Sequence, residues 1–189
     1  MELKQSKEIF NWYLNGTKTS FINSHLCHNR SELNGRLASY ETILKQTHKE
    51  ECLYLILSSI GEVGNNSFDH NLGYWQDEPG CLFVREANYA MICDRGRGIK
   101  QSLSAVYHLT KEDKNYISIA FTKIITGRAP EKRGNGLKYV KSNILKCNLG
   151  LTCKSEGELI HFGKPEDHFS LELENIKQLN SGVLTYFYW

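Results

Sequence analysis

The chain has 189 residues, 40% of them hydrophobic and 23% charged, with a formal net charge of +2. That length suffices for one ordinary domain with a continuous core, and the composition is that of a soluble globular protein rather than a disordered or fibrous one. So mild a charge, without clustered Lys and Arg, argues against a surface that tracks nucleic-acid phosphates, and no apolar stretch approaches the roughly 18 residues of a membrane span.

The amino terminus mixes charges and lacks an apolar signal core, which predicts a cytoplasmic protein. Six cysteines, at positions 27, 52, 81, 93, 147 and 153, follow no disulfide framework. Several sit in apolar runs, where a reduced thiol acts as a small hydrophobe, so free thiols are expected. His25, Cys27 and His28 lack a second ligand pair at zinc-finger spacing and read as a polar connector.

In chain order, residues 1–50 read as helical, with Ser31 placed to cap a helix whose Leu33, Leu37, Tyr40 and Leu44 share one face. Cys52, Ile56, Ser59, Ile60, Val63 and Ser67 recur at helical spacing and predict a helix over residues 50–69. Residues 81–84 and 89–93 are apolar runs too short for helices and predict a strand hairpin. From residue 99 to 127 the period is helical again, with Thr110 and Asp113 spaced as a capping box, Ile117, Ala120, Phe121 and Ile124 on one face, and Gly127 as the stop. Turn formers over residues 128–136 predict an exposed loop, and a helix follows over residues 137–145. Strands are predicted at 149–154, 158–162, 169–173 and 183–189. Helices first and strands later predict an α/β two-layer sandwich, with one mixed, mostly antiparallel sheet covered by helices on one face. The expected division is a helical extension over residues 1–48 and a domain over residues 49–189.

Three stretches carry side chains suited to chemistry. Glu62, Asn66 and His70 are spaced i, i+4 and i+8, so on a helix each is turned only about 40° from the last. A carboxylate beside an amide oxygen suits a magnesium–phosphate ligand, the amide as a hard uncharged donor and the carboxylate to orient or deprotonate water. A solvated helix face has the same composition. Asp94 closes an apolar strand ahead of Gly96 and Gly98, where backbone can approach a flat ligand and the carboxylate can accept from a purine amine. A plain Asp-Gly turn reads the same way. Gly134-Asn135-Gly136-Leu137 opens a helix after a loop holding Arg128, Lys132 and Arg133, so free N–H groups and the helix dipole face an anion such as phosphate. A lone Gly-x-Gly is equally an ordinary flexible helix entry.

In this order and spacing the stretches resemble the boxes of the GHKL superfamily, named for gyrase, the heat-shock chaperone, histidine kinases and the mismatch-repair ATPase. Glu62-x-x-x-Asn66-x-x-x-His70 resembles its N box, Asp94-x-Gly96-x-Gly98-Ile99 its G1 box, and Gly134-x-Gly136-Leu137 its G2 box. The N box is most similar to that of stand-alone bacterial serine kinases that act as anti-sigma factors. Thr185-x-Phe187 is similar to the family's terminal strand, although the glycine usually just before that threonine is here Gly182.

The resemblance implies a Bergerat-type ATP-binding fold over roughly residues 50–189, with ATP and Mg²⁺ as ligands. It implies that Asn66 holds the metal, that Glu62 is the general base, and that Asp94 reads adenine with Thr185 nearby. Gly96, Gly98 and Ile99 would admit the base, and His70 would line the site or cap its helix. Gly134, Asn135, Gly136 and Leu137 would cradle phosphates beneath a lid over residues 126–133, where Arg128, Lys132 and Arg133 neutralise charge. The implied function is ATP hydrolysis or transfer of the γ-phosphate to a partner protein. The alternative is a non-catalytic module whose grip on another protein is gated by ATP. Residues 1–48 match nothing in the family and offer no histidine-bearing dimerisation segment, His48 being a poor phosphoacceptor. Their helices are the expected docking or homodimer surface.

Overall fold

A computed structural model describes residues 3–46, 50–108, 110, 115–123, 135–176 and 181–189. Among these the chain runs α1 (Leu3–Asn15), α2 (Ser20–His25), β1 (Leu26–Cys27), α3 (Arg30–Leu44), α4 (Glu50–His70), β2 (Cys81–Glu86) and β3 (Tyr89–Asp94). It continues through α5 (Gly98–Ser104), α6 (Tyr116–Thr122), α7 (Gly136–Lys146), β4 (Gly150–Ser155), β5 (Glu158–Gly163), α8 (His168–Glu174) and β6 (Val183–Tyr188). The strands form one open sheet in the order β1-β2-β3-β6-β4-β5. Every neighbouring pair is antiparallel, so the α/β class holds while the expected mixed sheet becomes a uniform one.

Successive side chains of a strand point to opposite faces, and here both faces are apolar. Ala90 and Ile92 of β3 join Phe83 and Phe187 in one core, beneath Leu33 and Tyr40 of α3, Ile56 and Ile60 of α4, Phe121 of α6 and Val140 of α7. Tyr89, Met91 and Cys93 of the same strand join Leu184 and Tyr186 in a second core, beneath Ile9, Trp12 and Tyr13 of α1, Ile22 of α2, and Phe169 and Leu173 of α8. Helices therefore cover both faces, giving three layers where the sequence predicted two. The cause is visible in strands that are apolar at nearly every position: each face must be buried, and each needs its own helices. Residues of α3 thus belong to the first core and residues of α1 to the second, each packed with later parts of the chain.

Three local assignments differ from expectation. Asn29, not Ser31, caps α3, its Oδ1 accepting from Glu32 N at 3.0 Å. Residues 169–173, predicted as a strand, form α8, because Asp167 Oδ1 caps Ser170 N at 2.9 Å and the buried pair Phe169 and Leu173 sits one helical turn apart, with Leu171 exposed. The helical pattern from residue 99 onward divides into α5 and α6, and Asn115 opens the latter by accepting from Ser118 N at 2.7 Å. Asp113, Ile124 and Gly127 lie outside the described residues, as does His48.

The cysteines are not all free. Because α4 and α7 pack side by side, Cys52 and Cys147 come within 5.6 Å at Cα and form a disulfide, while Cys27, Cys81, Cys93 and Cys153 remain buried thiols. Among the described residues no helix is long and apolar enough to cross a membrane.

Candidate functional site

Between α4, the first turns of α5 and α7, the end of α6 and the sheet lies a cavity of about 650 Å³. Glu62, Asn66 and His70 reach it from one side of α4, the first two half-buried and His70 exposed at the helix end. Asp94 enters from the end of β3, Gly98 and Ile99 from the start of α5, and Asn135, Gly136 and Leu137 from the start of α7. Thr185, 1% exposed, enters from β6, the strand that pairs with both β3 and β4. The tertiary fold thus gathers residues from all three sequence stretches around one space. Gly96 stands beside the cavity instead of lining it. Arg128, Lys132, Arg133 and Gly134, and the lid expected over residues 126–133, lie outside the described residues.

Asp94 anchors the deep end. It is 3% exposed, and protein donors converge on it: Oδ1 accepts from Gly96 N at 2.9 Å and Asn71 Nδ2 at 3.1 Å, and Oδ2 accepts from Ser67 Oγ at 2.9 Å. Burial pushes its carboxyl up to about 6, against the lowering effect of hydrogen bonds from Gly96, Ser67, Asn71 and the Val183 backbone. Beside it, burial pushes the Cys153 thiol up to about 12, so this group is a neutral wall that accepts from Thr185 Oγ1 at 3.5 Å.

The loop after Asp94 is held from both sides of the sheet. Arg95 turns to the opposite face, where Nη1 donates to the carbonyls of Trp12 at 2.9 Å and Tyr13 at 2.6 Å, and Nε donates to Asp77 Oδ2 at 2.8 Å. Arg97 stays on the cavity side, its guanidinium 4.6 Å from the Tyr74 ring centroid and its Nε donating to Ser102 Oγ at 3.1 Å. The first N–H groups of α5 are capped by the β4–β5 hairpin: Ile99 N donates to Ser155 Oγ at 3.1 Å and Lys100 N to Glu156 Oε2 at 2.7 Å. Gly98 is required there, having φ +80° and a Glu156 carboxyl 2.8 Å from where a Cβ would sit.

At the other end, Asn135 gives no side-chain cap to α7, so the positive end of that helix dipole faces the cavity. The Glu62 carboxylate presses against it: a Cβ on Gly136 would fall 1.8 Å from Glu62 Oε1. Lys123, at the C-cap of α6, lines the same space and donates from Nζ to Tyr107 OH at 2.7 Å.

Sequence reasoning passed over Ser67, Asn71, Arg97, Lys123 and Cys153 as site residues, all of which line the cavity. Ser67 and Arg97 are chain neighbours of residues singled out, a signal that was available. Asn71 likewise directly follows His70, whereas Lys123 and Cys153 arrive by helix and strand packing, which no local spacing records. The chain matches no protein-family model and no curated protein.

Proposed function

We propose that this cavity binds ATP with magnesium, as a Bergerat-type site of the GHKL superfamily nearest in its N box to the anti-sigma-type serine kinases. On this reading the protein hydrolyses ATP or passes the γ-phosphate to a partner protein. The observation that carries the reading is the Glu62 carboxylate lodged against the first turn of α7, to which Asn135 gives no side-chain cap. Free N–H groups at a helix start attract phosphate, and a bare carboxylate beside them repels it. The two would be compatible if a divalent cation, held with the help of Asn66, neutralised the charge there.

The residues present fit such an ion. Asn66, one turn along α4 from Glu62, offers a neutral amide oxygen to the same space. Among the described residues no three His, Cys, Asp or Glu gather as an all-protein metal cage. Magnesium uses few protein ligands when phosphates supply the rest, and when bound it would screen the phosphate charge. The chain's own part is to hold phosphate on the α7 N–H groups, to orient Asn66 and Glu62, and to accept at Glu62 the proton of an attacking water or hydroxyl. At the deep end Asp94 accepts from the base amine. A cavity of about 650 Å³ lies within the usual range for small-molecule sites.

Calorimetry with ATP and Mg²⁺ tests the binding, and a saturable heat is expected. Silence at high protein concentration overturns the reading. In Glu62→Ala, phosphate release and labelled-phosphate transfer should fall by about 10²–10⁴-fold while ATP still binds. ATP binding without either activity in the natural chain would instead favour the ATP-gated module.

A further inference from the structure

Asn71 directly follows α4 and is 3% exposed. The orientation of its amide follows from its partners. Arg97 N can only donate, and it lies 3.1 Å from Asn71 Oδ1, so the other end of the amide, Nδ2, is the one aimed at Asp94 Oδ1 at 3.1 Å. The amide is wedged in place, since a Cβ built on Gly96 would fall 1.9 Å from Asn71 Cγ. Asp94 Oδ1 already accepts from Gly96 N at 2.9 Å, and a carboxylate oxygen has two lone pairs to offer. Asn71 takes the second. Asp94 Oδ2 meets Ser67 Oγ at 2.9 Å, a hydroxyl that can turn its proton to another acceptor.

Resting on the ATP reading above, we infer that Asn71 makes this site select adenine over guanine by withholding one oxygen of Asp94. Adenine presents a single exocyclic amine beside a ring nitrogen that accepts, and Asp94 Oδ2 with the Ser67 hydroxyl answers that pair. Guanine presents two adjacent donors, its ring N1–H and its exocyclic amine, which need both carboxylate oxygens side by side. Asn71 Nδ2 and Gly96 N–H occupy one of those oxygens. Asn71 is therefore a positioning residue, acting on the base through Asp94.

Calorimetry of ATP and GTP binding to the natural chain and to Asn71→Ala, Asn71→Leu and Asn71→Ser decides the matter. The natural chain should prefer ATP by about tenfold or more, the discrimination typical of a lost buried hydrogen bond. Alanine and leucine, which remove the donor, should narrow that preference about tenfold, while serine, which keeps a donor, should retain most of it. A purely structural role weakens both nucleotides together and leaves their ratio within about twofold of the natural chain, an outcome that overturns the inference. Should no variant fold, inosine triphosphate on the natural chain serves, since it keeps N1–H and lacks the exocyclic amine. With one donor beside an acceptor it needs only one carboxylate oxygen, so it should bind more tightly than GTP, and affinity as weak as that of GTP overturns the inference. Failure of the natural chain to bind ATP at all is a separate result, and it removes the parent reading.

Discussion

Glu62 and Gly136 are in van der Waals contact across the α4–α7 interface, with the position a Cβ would take at 136 only 1.8 Å from Glu62 Oε1 and 2.5 Å from Glu62 Cδ. The contact joins the polar stripe of one helix to the dipole end of another. Neither side chain alone defines a site, since polar stripes and glycine helix starts are common. On the ATP reading, their contact is where phosphate and carboxylate would have to be reconciled.

Gly136→Ala follows directly. The added methyl meets the far end of a flexible side chain, so Glu62 swings aside and the fold survives, with the midpoint of thermal unfolding expected within a few degrees. On the ATP reading, affinity for ATP should fall by about tenfold or more, because both the carboxylate and the first turn of α7 are displaced. Thermal denaturation and calorimetry on the same sample check the two halves. The double variant Gly136→Ala/Glu62→Ala, which has no carboxylate to collide with, should recover part of the binding.

Asp94 makes stability pH-dependent. Its carboxyl rises from an ordinary 3.8 to about 6 on folding, so the folded chain holds this proton more tightly than the unfolded one. The stabilising contribution is complete below about 3.8 and is lost as pH climbs through about 6. At neutral pH the ionised buried group costs roughly 3 kcal/mol, at 1.36 kcal/mol per pH unit. Asp94→Asn should therefore gain about 2–3 kcal/mol in urea denaturation at pH 7.5, and the gain should vanish below about pH 4. On the ATP reading the same substitution should weaken ATP far more than bare triphosphate, and natural-chain affinity should decline as pH falls below about 6.

Arg95 ties the loop after Asp94 to α1, reaching the carbonyls of Trp12 and Tyr13 while pairing with Asp77. This guanidinium adds donors to two carbonyls near the end of α1, of which Trp12 also accepts from Gly16 N at 2.8 Å. Arg95→Ala should cost about 2–4 kcal/mol, from two lost buried hydrogen bonds to carbonyls and a lost ion pair whose acidic partner is partly exposed. Hydrogen exchange should show α1 losing protection first. Arg95→Lys should recover only part, since an ammonium cannot span three acceptors with a planar fork.

The Cys52–Cys147 bond closes a separation of 95 residues and joins the two helices that meet at Glu62 and Gly136. A cross-link of this span typically stabilises by about 2–4 kcal/mol. Cys147→Ser should lose that amount under non-reducing conditions and should match the natural chain once dithiothreitol is present. Peptide mapping without reductant should recover the linked pair from the natural protein.

Much of the chain was legible because the signals are local. The helical period over Cys52, Ile56, Ile60 and Val63 marked α4 to within a residue, and the short apolar runs marked β2, β3 and β6. Period marked the helix and run length the strands, and each residue reports both through its near neighbours. Residues 169–173 misled for the same reason: Phe169, Leu171 and Leu173 alternate as in a strand, and only the Asp167 cap and the exposure of Leu171 decide for a helix.

The three polar stretches and the demand for a buried sheet are written in the sequence itself, because spacing places side chains on a face and apolar strands require cover. What covers the second face, which cysteines bond, and how Asp94's loop is braced by Asn71, 23 residues from Asp94, and by the Trp12 carbonyl, 83 residues from Arg95, were decided only by the tertiary structure. A hydrophobic residue declares that it will be buried, not against what, and a hydrogen bond between distant residues leaves no periodic trace along the chain.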